Sequence, residues 1–422
     1  MTKEKKLSSH RLTVRILIGM VAGLIFGVVI NAISPAEWIE IYVTGGLLHI
    51  GGSIFLASLK LLVVPLVLVS LICGAGALED VKKIGRIGGR MMCYYMCTTA
   101  TAIALALLLA LLIQPGSDFH LDTTASFTAP ETPSFVQTVI DIFPTNPVKA
   151  MAEGNMLQII VFAILFGITL PMVGEAGKRL LAIFNDLNEV VMKMVMLLME
   201  FAPYGIFFMI AKVFAGQGFS ALLPMLKYFL VVVAALLLHE FLVFGLILKF
   251  IVRLNPAIFY KKFRGVLAVA FSTSSSGATL PITLETVEHD LGVPNSIASF
   301  AIPLGATINM DGTAIMQGVA SVFIAQAYGI DLSLTSYLLI IVTATLASIG
   351  TAGVPGVGII TLAMVLRQVG LPVEGIGLII GVDRLLDMLR TAVNVTGDAV
   401  GACYVARAEK QFDLNIYNNE KI

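Results

Sequence analysis

Charge is what this chain has least of. Asp, Glu, Lys and Arg make up 13% of residues and cancel to a formal net charge of zero, against about a quarter charged in a soluble globular domain. So sparse and balanced a charge carries no electrostatic footprint for nucleic acid, and no such partner is expected. Cysteine is also scarce. Cys73, Cys93, Cys97 and Cys403 sit inside apolar runs without metal-ligand spacing, so they read as small core residues and no disulfide is expected. His239-Glu240 lacks the second histidine of a zinc-protease helix, and no nucleophile–base pair is evident. The chain therefore does not read as an enzyme, and His239 and Glu240 read as a hydrogen-bonded structural pair. His10, His49, His120 and His289 form no cluster. The basic start MTKEKKLSSHRLTVR precedes a long apolar run with no evident small-residue cleavage site, so it reads as a retained first span rather than a signal peptide.

What is abundant is apolar surface. Hydrophobic residues make up 58% of the chain and the mean hydropathy is +0.94. Repeated apolar runs of about 20 or more residues, each able to cross a hydrocarbon core of about 30 Å, predict a polytopic all-α protein of the cell membrane, surrounded by lipid. Spans are placed near 12–33, 41–77, 84–114, 155–174, 178–214 and 220–252, the longer ones tilted or kinked, as at Pro65 and Pro203. Lys and Arg cluster before the first span, between the second and third, and after the fourth and sixth. The stretch from Gly116 to Val148 has neither. By the positive-inside rule both termini are cytoplasmic and that Thr/Pro-rich loop is external. Lys60, Lys193, Glu200 and Lys227 are expected at helix or subunit contacts or near the membrane interfaces.

After residue 255 the pattern changes. Apolar arms of about a dozen residues flank polar, Gly/Pro-bearing tips, first in GVLAVAFSTSSSGATLPITLETV and again in SYLLIIVTATLASIGTAGVPGVGIITLAMVL. A dozen helical residues rise about 18 Å, too little to cross. Each arm pair reads as a re-entrant hairpin, the first entering from the cytoplasm and the second from outside, and such inverted pairs point to a transporter's binding site. Between them, LGATINMDGTAIMQG puts Asn309, Met310, Asp311, Gly312 and Thr313 in mid-span. Local unwinding there would free carbonyl oxygens beside a carboxylate, which is hard-cation chemistry.

The last apolar stretch, GVDRLLDMLRTAVNVTGDAVGA from Gly381 to Ala402, reads as a helix. At 3.6 residues per turn, Asp383, Asp387, Arg390, Thr391, Asn394 and Asp398 share an arc of about 100°. Ionisable groups on one face of a spanning helix must meet a cavity or ligands rather than lipid. With Asp383 paired to its neighbour Arg384, a substrate ammonium could meet Asp387 and a substrate carboxylate could pair with Arg390 in bidentate fashion. The N–H groups and serine hydroxyls of the tips could take a second carboxylate. Asp311 and Asp398 remain uncompensated, at several kcal/mol each if left so. Monovalent cations entering with the substrate resolve that imbalance, and protons could replace them in the count.

SSSGATLP at 274–281, ATINMDGTA at 306–314, ASIGTAGVPGVG at 347–358 and DMLRTAVNVTGD at 387–398, in this order, resemble the dicarboxylate/amino acid:cation symporter family. That family includes the glutamate transporters and their archaeal aspartate-transporting relatives, and the likeness covers nearly the whole chain. The resemblance implies a homotrimer of eight transmembrane helices and two re-entrant hairpins working as an elevator. Residues 12–80 and 130–215 would form a scaffold and trimerisation domain. Residues 81–114 and 216–410 would form the transport domain, with hairpins near 256–290 and 333–368, a seventh span near 294–327 and an eighth near 373–408. It implies that Arg390 holds the substrate side-chain carboxylate with Thr313 assisting. Asp387, Thr391 and the Val354 carbonyl would hold the ammonium. Asn394 and the first tip would take the α-carboxylate, with Ser275 and Ser276 as alternatives, and Gly358 would border the site. Sodium would bind at Gly305, Asn309, Asn394 and Asp398, at Thr307, Met310, Ser348, Ile349 and Thr351, and at Tyr95, Thr98, Thr99, Asn309 and Asp311. No cofactor is implied beyond co-transported sodium.

Departures from the family pattern matter. Where many members carry an arginine, in the first tip or just after the equivalent of Asp387, this chain has Ser274 and Met388. Arg384, one turn before Met388, is the candidate to take over, though it points about 40° away. Gln317 replaces a glutamate associated in animal members with potassium counter-transport, so no potassium coupling is expected. The intact NMDGT favours sodium. The expected function is sodium-coupled symport of aspartate or glutamate, and a proton-coupled or C4-dicarboxylate carrier is the competing transport reading. A membrane-embedded hydrolase would need turnover of its substrate, and an anion leak is a possible side activity.

Overall fold

The computed structural model describes residues 3–33, 37–76, 84–117, 119, 143–218, 222–349 and 356–419, all helix or connection with no strand among them. Helix α1 (Lys3–Ile33) is followed by a wide π-helical run (Ile39–Leu48) that continues into α2 (His49–Gly76) and then α3 (Ile84–Ile113). A short α4 (Pro147–Glu153), N-capped by Asn146, leads to α5 (Met156–Met172), α6 (Glu175–Glu200) and α7 (Ala202–Gln217). Helix α8 (Leu222–Leu237) runs on through π-helical turns to Val252. Then come α9 (Pro256–Thr273), α10 (Ser276–Glu285), α11 (Asn295–Ile308), α12 (Asp311–Ala327), α13 (Leu334–Ser348) and α14 (Val357–Gln368). Last are the 33-residue α15 (Ile376–Ala408) and a short α16 (Leu414–Asn418).

Among the described residues, four helical runs are long and apolar enough to cross a membrane: Val14–Ile33, Ile39–Cys73, Arg86–Ile113 and Leu222–Val252. The run expected as one kinked span over 178–214 is two helices. Helix α6 ends at Glu200 and α7 leaves it at 51°, giving a fifth crossing if the bent pair counts as one. Pro203 explains the break, because proline is accommodated in the first turn of a helix and not in its interior. Apolar side chains face outward along these runs, as Val14, Ile18, Val21, Ile25 and Val29 do on α1. A stripe of that kind fits lipid as its solvent.

Small residues decide how α1 packs. Gly19, Gly23 and Gly27 recur every fourth position, and a Cβ on Gly23 would stand 2.7 Å from Phe207 O and one on Gly27 2.5 Å from Ala211 O, both on α7. The two backbones touch through that seam, as small-xxx-small packing in membranes allows. Helix α2 packs along α5 and α6, whereas α3 packs along α12 and α13. At the centre lies α12, of which every residue except Gln326 is buried. It packs on α3, α8 and α15.

Helices α9 and α10 are joined by Ser274 and Ser275, and α13 and α14 by 349–356. Each pair packs together as a hairpin. Ser274 takes the left-handed backbone conformation (φ 50°) and Ser275 caps α10. Between α11 and α12 the helix is interrupted at Asn309 (φ −95°, ψ 99°) and Met310. Residues 350–355 of the second tip and 120–142 of the long loop lie outside the described residues, as do Thr351 and Val354. Cys403 is buried, but Cys93 and Cys97 lie on the exposed face of α3 and not in the core.

Candidate binding site

Arg390 is the largest fully buried side chain of the protein. Its Nη2 donates to Asp387 Oδ1 at 2.8 Å, one turn back along α15. Its Nη1 stands 2.8 Å from Asp383 Oδ1, an ion pair out of hydrogen-bonding alignment, and Nη1 and Nε have no hydrogen-bond partner. Asp383 therefore does not pair with Arg384. Adjacent helical residues diverge by about 100°, whereas residues seven apart return to one face, and an arginine reaching back along its helix spans the rise. Arg384 instead reaches Asp387 Oδ2, at 3.5 Å. Asp387 Oδ2 also accepts from the Gly356 N–H at 3.3 Å, and Thr391 donates to the Asp387 carbonyl at 2.8 Å.

This cluster borders a crevice between α1, α2, α6 and α7 on one side and α14 and α15 on the other, with Asp383, Arg384 and Asp387 in its wall. Gly358 leaves room beside the guanidinium, since a Cβ there would stand 3.2 Å from Arg390 Nη1 and 3.3 Å from Thr313 Cγ2. Gly358, Thr313 and Arg390 are thus brought together. At the first hairpin, Ser275 Oγ accepts from the Ala278 N–H at 3.3 Å, Ser276 is buried, and Ser274 Oγ is buried without a partner. Helix α10 packs on α15.

The interruption of α11–α12 gathers a second group. Asn309 Nδ2 donates to Asp398 Oδ1 at 3.0 Å and to the Asn394 carbonyl at 3.1 Å, and its own Oδ1 is buried with no partner. Asn394 Oδ1 accepts the Gly312 N–H at 2.8 Å, and its Nδ2 donates to Met310 Sδ at 3.2 Å. Asn394 is thereby closed onto the break, and taking a substrate carboxylate would require it to leave Met310. A Cβ on Gly305 would collide with Asp398 and stand 2.5 Å from Tyr95 OH, so Gly305, Asn309, Asn394, Asp398 and Tyr95 converge. Oxygen donors around an orphaned amide oxygen and a carboxylate fit a hard monovalent cation.

Asp311, fully buried, accepts from Thr99 Oγ1 at 2.5 Å. Its other oxygen lies 3.0 Å from His239 Nε2. His239 and Glu240 are accordingly not partners of each other. His239 grips Asp311, and Glu240 Oε1 lies 2.8 Å from Thr396 Oγ1. Tyr95 donates to the Ala301 carbonyl at 3.1 Å and Thr98 to the Tyr95 carbonyl at 3.2 Å. The remaining expected cation residues among those described make local contacts. Thr307 Oγ1 donates to Leu304 O and Ser348 Oγ to Thr345 O within their own helices, and Ile349 follows as the cap of α13.

His239 carries no local signal for its role, because its partner lies 72 residues away. Asp383 was legible as a member of the stripe, with its partner misassigned. Lys60 forms an ion pair with Glu374 at 3.0 Å, tying α2 to the start of α15. Arg86 and Arg90 both pair with Glu409, tying the start of α3 to the end of α15.

Known proteins resemble the chain over nearly its whole length. The chain is 36% identical over 412 residues to the proton/glutamate-aspartate symporter of Escherichia coli K12, covering 94% of this chain and 93% of that protein. It is 35% identical over 419 residues to the proton/sodium-glutamate symport protein of Bacillus caldotenax, covering 96% and 95%. It is 36% identical over 452 aligned positions to the rabbit neutral amino acid transporter B(0), covering 96% and 82%. Residues 12–408 match the family described as the sodium:dicarboxylate symporter family. The chain belongs to the sodium:dicarboxylate symporter family.

Proposed function

We propose that this protein is a secondary active symporter that carries an acidic amino acid, aspartate or glutamate, into the cell together with sodium ions. The observation that carries the reading is the buried charge. Among the described residues, Asp311, Asp383, Asp387 and Asp398 face only Arg384 and Arg390 as buried fixed cations. Asp383 and Asp387 are matched by the two guanidinium groups, whereas Asp398 has an amide partner and Asp311 a hydroxyl and an imidazole. Leaving such carboxylates buried and unneutralised costs several kcal/mol each, and cation binding offsets that cost.

The chemistry divides by position. The guanidinium of Arg390 offers a planar fork to the substrate side-chain carboxylate, which competes with Asp383 for Nη1. A carboxylate on both tines of the fork takes Nη2 as well, and Asp387, so freed from Arg390, meets the ammonium. A neutral substrate would leave the fork without its anion, so Arg390 favours acidic cargo over the neutral cargo named for the rabbit relative. Asn309, Asn394, Asp398 and Gly305 form the best-assembled sodium site, and Asp311 with Thr99 a further one. Because Asn394 and Gly312 join α15 to α12, filling the cation residues orders the backbone on which Arg390 sits.

The movement we infer is an elevator. Helices α1, α2, α5, α6 and α7 would form the scaffold and trimer contact. Helix α3, α8 and the re-entrant pairs α9–α10 and α13–α14 would move with α11, α12 and α15. The crevice between α1, α2, α6 and α7 and the α14–α15 face supports such a division. In this reading both termini are cytoplasmic and eight spans cross the cell membrane. Uptake of radiolabelled aspartate into proteoliposomes under separate sodium and proton gradients tests the proposal. Uptake that follows the sodium gradient supports it, and uptake driven only by protons refutes the cation assignment.

A further inference from the structure

Glu240 is a buried carboxyl that none of these roles uses. It lies in the π-helical turn Leu238–Val243 of α8, 5% exposed, inside a run long and apolar enough to cross a membrane. Widened turns of this kind interrupt the regular helix ladder and recur at functional sites. One carboxyl oxygen, Oε1, is 2.8 Å from Thr396 Oγ1, while Oε2 has no partner. Among the described residues no lysine or arginine pairs with it.

Thr396 is the carboxyl's one side-chain partner among the described residues. Its hydroxyl has one hydrogen and lies 3.0 Å from the Ala392 carbonyl, which can only accept. That hydrogen goes to Glu240 Oε1 at 2.8 Å or to the Ala392 carbonyl, not to both. A carboxylate in the same place would face low dielectric with at most one neutral donor, a cost of several kcal/mol. Among the described residues, the surrounding groups add no lysine or arginine to relieve it. The same turn carries His239, turned to Asp311 of α12, and α15 carries Asp398 and Cys403. Helix α9 brings Tyr260, whose hydroxyl donates to the Glu240 carbonyl, and α3 brings Tyr94, whose hydroxyl is unpartnered.

We propose that Glu240 is a proton-binding site and that the proton it holds is carried with the cargo. Thr396 lies on α15 between Asn394 and Asp398, and the adjacent His239 holds Asp311. The turn therefore touches both carriers of cation residues. Tyr260 belongs to the first hairpin, which links movement of that hairpin to access at Glu240. The coupling part of the proposal rests on the symport reading, and the protonation part does not.

The test uses the full-length protein and Glu240→Gln, whose amide can still hydrogen-bond Thr396. In proteoliposomes with a pH-sensitive dye inside, wild-type aspartate uptake acidifies the lumen. Glu240→Gln still exchanges aspartate but loses the acidification and the pH dependence of uptake. Equal acidification by wild type and variant, or wild-type uptake with none, overturns the proposal. Absence of any wild-type uptake refutes the symport reading and the coupling with it. Protonation is then read separately by infrared spectroscopy at neutral pH. A protonated-carboxyl C=O band present in wild type and lost in Glu240→Gln supports it, and a band missing from wild type or persisting in the variant refutes it.

Discussion

Gly312 is where the two halves of the site touch through backbone alone. A Cβ there would stand 2.5 Å from the Arg390 carbonyl oxygen, 2.8 Å from its Cα and 3.0 Å from its carbonyl carbon, none of which can rotate aside. Non-bonded carbons settle at about 3.5–4.0 Å, so Gly312→Ala must part α12 from α15 by roughly 0.7 Å or more. The Gly312 N–H to Asn394 Oδ1 bond, 2.8 Å long, would stretch to roughly 3.5 Å and be lost. Overpacking costs about 1–3 kcal/mol, and a buried unsatisfied donor about as much again. If the cation residues and Arg390 act through this contact, a loss of about 2 kcal/mol weakens aspartate binding roughly thirtyfold. The assay is aspartate binding to purified protein across a sodium series. The control is Gly89→Ala, whose Cβ would meet nothing within 4 Å. A folded Gly312→Ala protein with wild-type affinity and an unchanged sodium curve would refute the reasoning.

Arg390→Cys should abolish uptake of acidic amino acids and admit neutral ones, and unchanged aspartate affinity would remove Arg390 from the site. Asp383→Asn removes the carboxylate that competes for Nη1 and should tighten aspartate about tenfold, a change of about 1.4 kcal/mol, in a binding titration. Weaker binding would instead make Asp383 a positioning group. Asp311→Asn keeps a partner for Thr99 but drops the charge, so half-maximal binding should need at least roughly tenfold more sodium, a change of about 1.4 kcal/mol. An unshifted sodium curve contradicts this. His239→Phe leaves Asp311 one donor short, at about 1–3 kcal/mol, and should lower the thermal unfolding midpoint. His239→Gln, which retains an N–H, should not, and equal midpoints for the two variants would remove the His239 bond from the account.

The parts of the site legible from the chain alone were those whose geometry is local. The polar stripe of α15 follows from helical spacing, and the interruption at Asn309-Met310 from a polar pair in an apolar run. Long-range choices were not legible. Asp383 could pair with the nearer Arg384 or with Arg390 a full two turns away, and only the arginine's reach back along α15 decides. His239 finds Asp311 across 72 residues, for which periodicity offers no guide. The 51° break between α6 and α7 was visible as Pro203, but hydropathy reads through it because both sides are apolar. The α1–α7 seam was present as glycines at every fourth position and shows its meaning only against the α7 backbone.

The central claim is that buried carboxylates outnumber buried bases and that small cations must enter with the cargo. Calorimetric binding of aspartate to the purified protein, in sodium against choline at fixed neutral pH, measures this directly. The account predicts tight binding in sodium and a loss of affinity by orders of magnitude in choline. Equal affinity in the two, with no alkali metal and no acidification supplied, would contradict it.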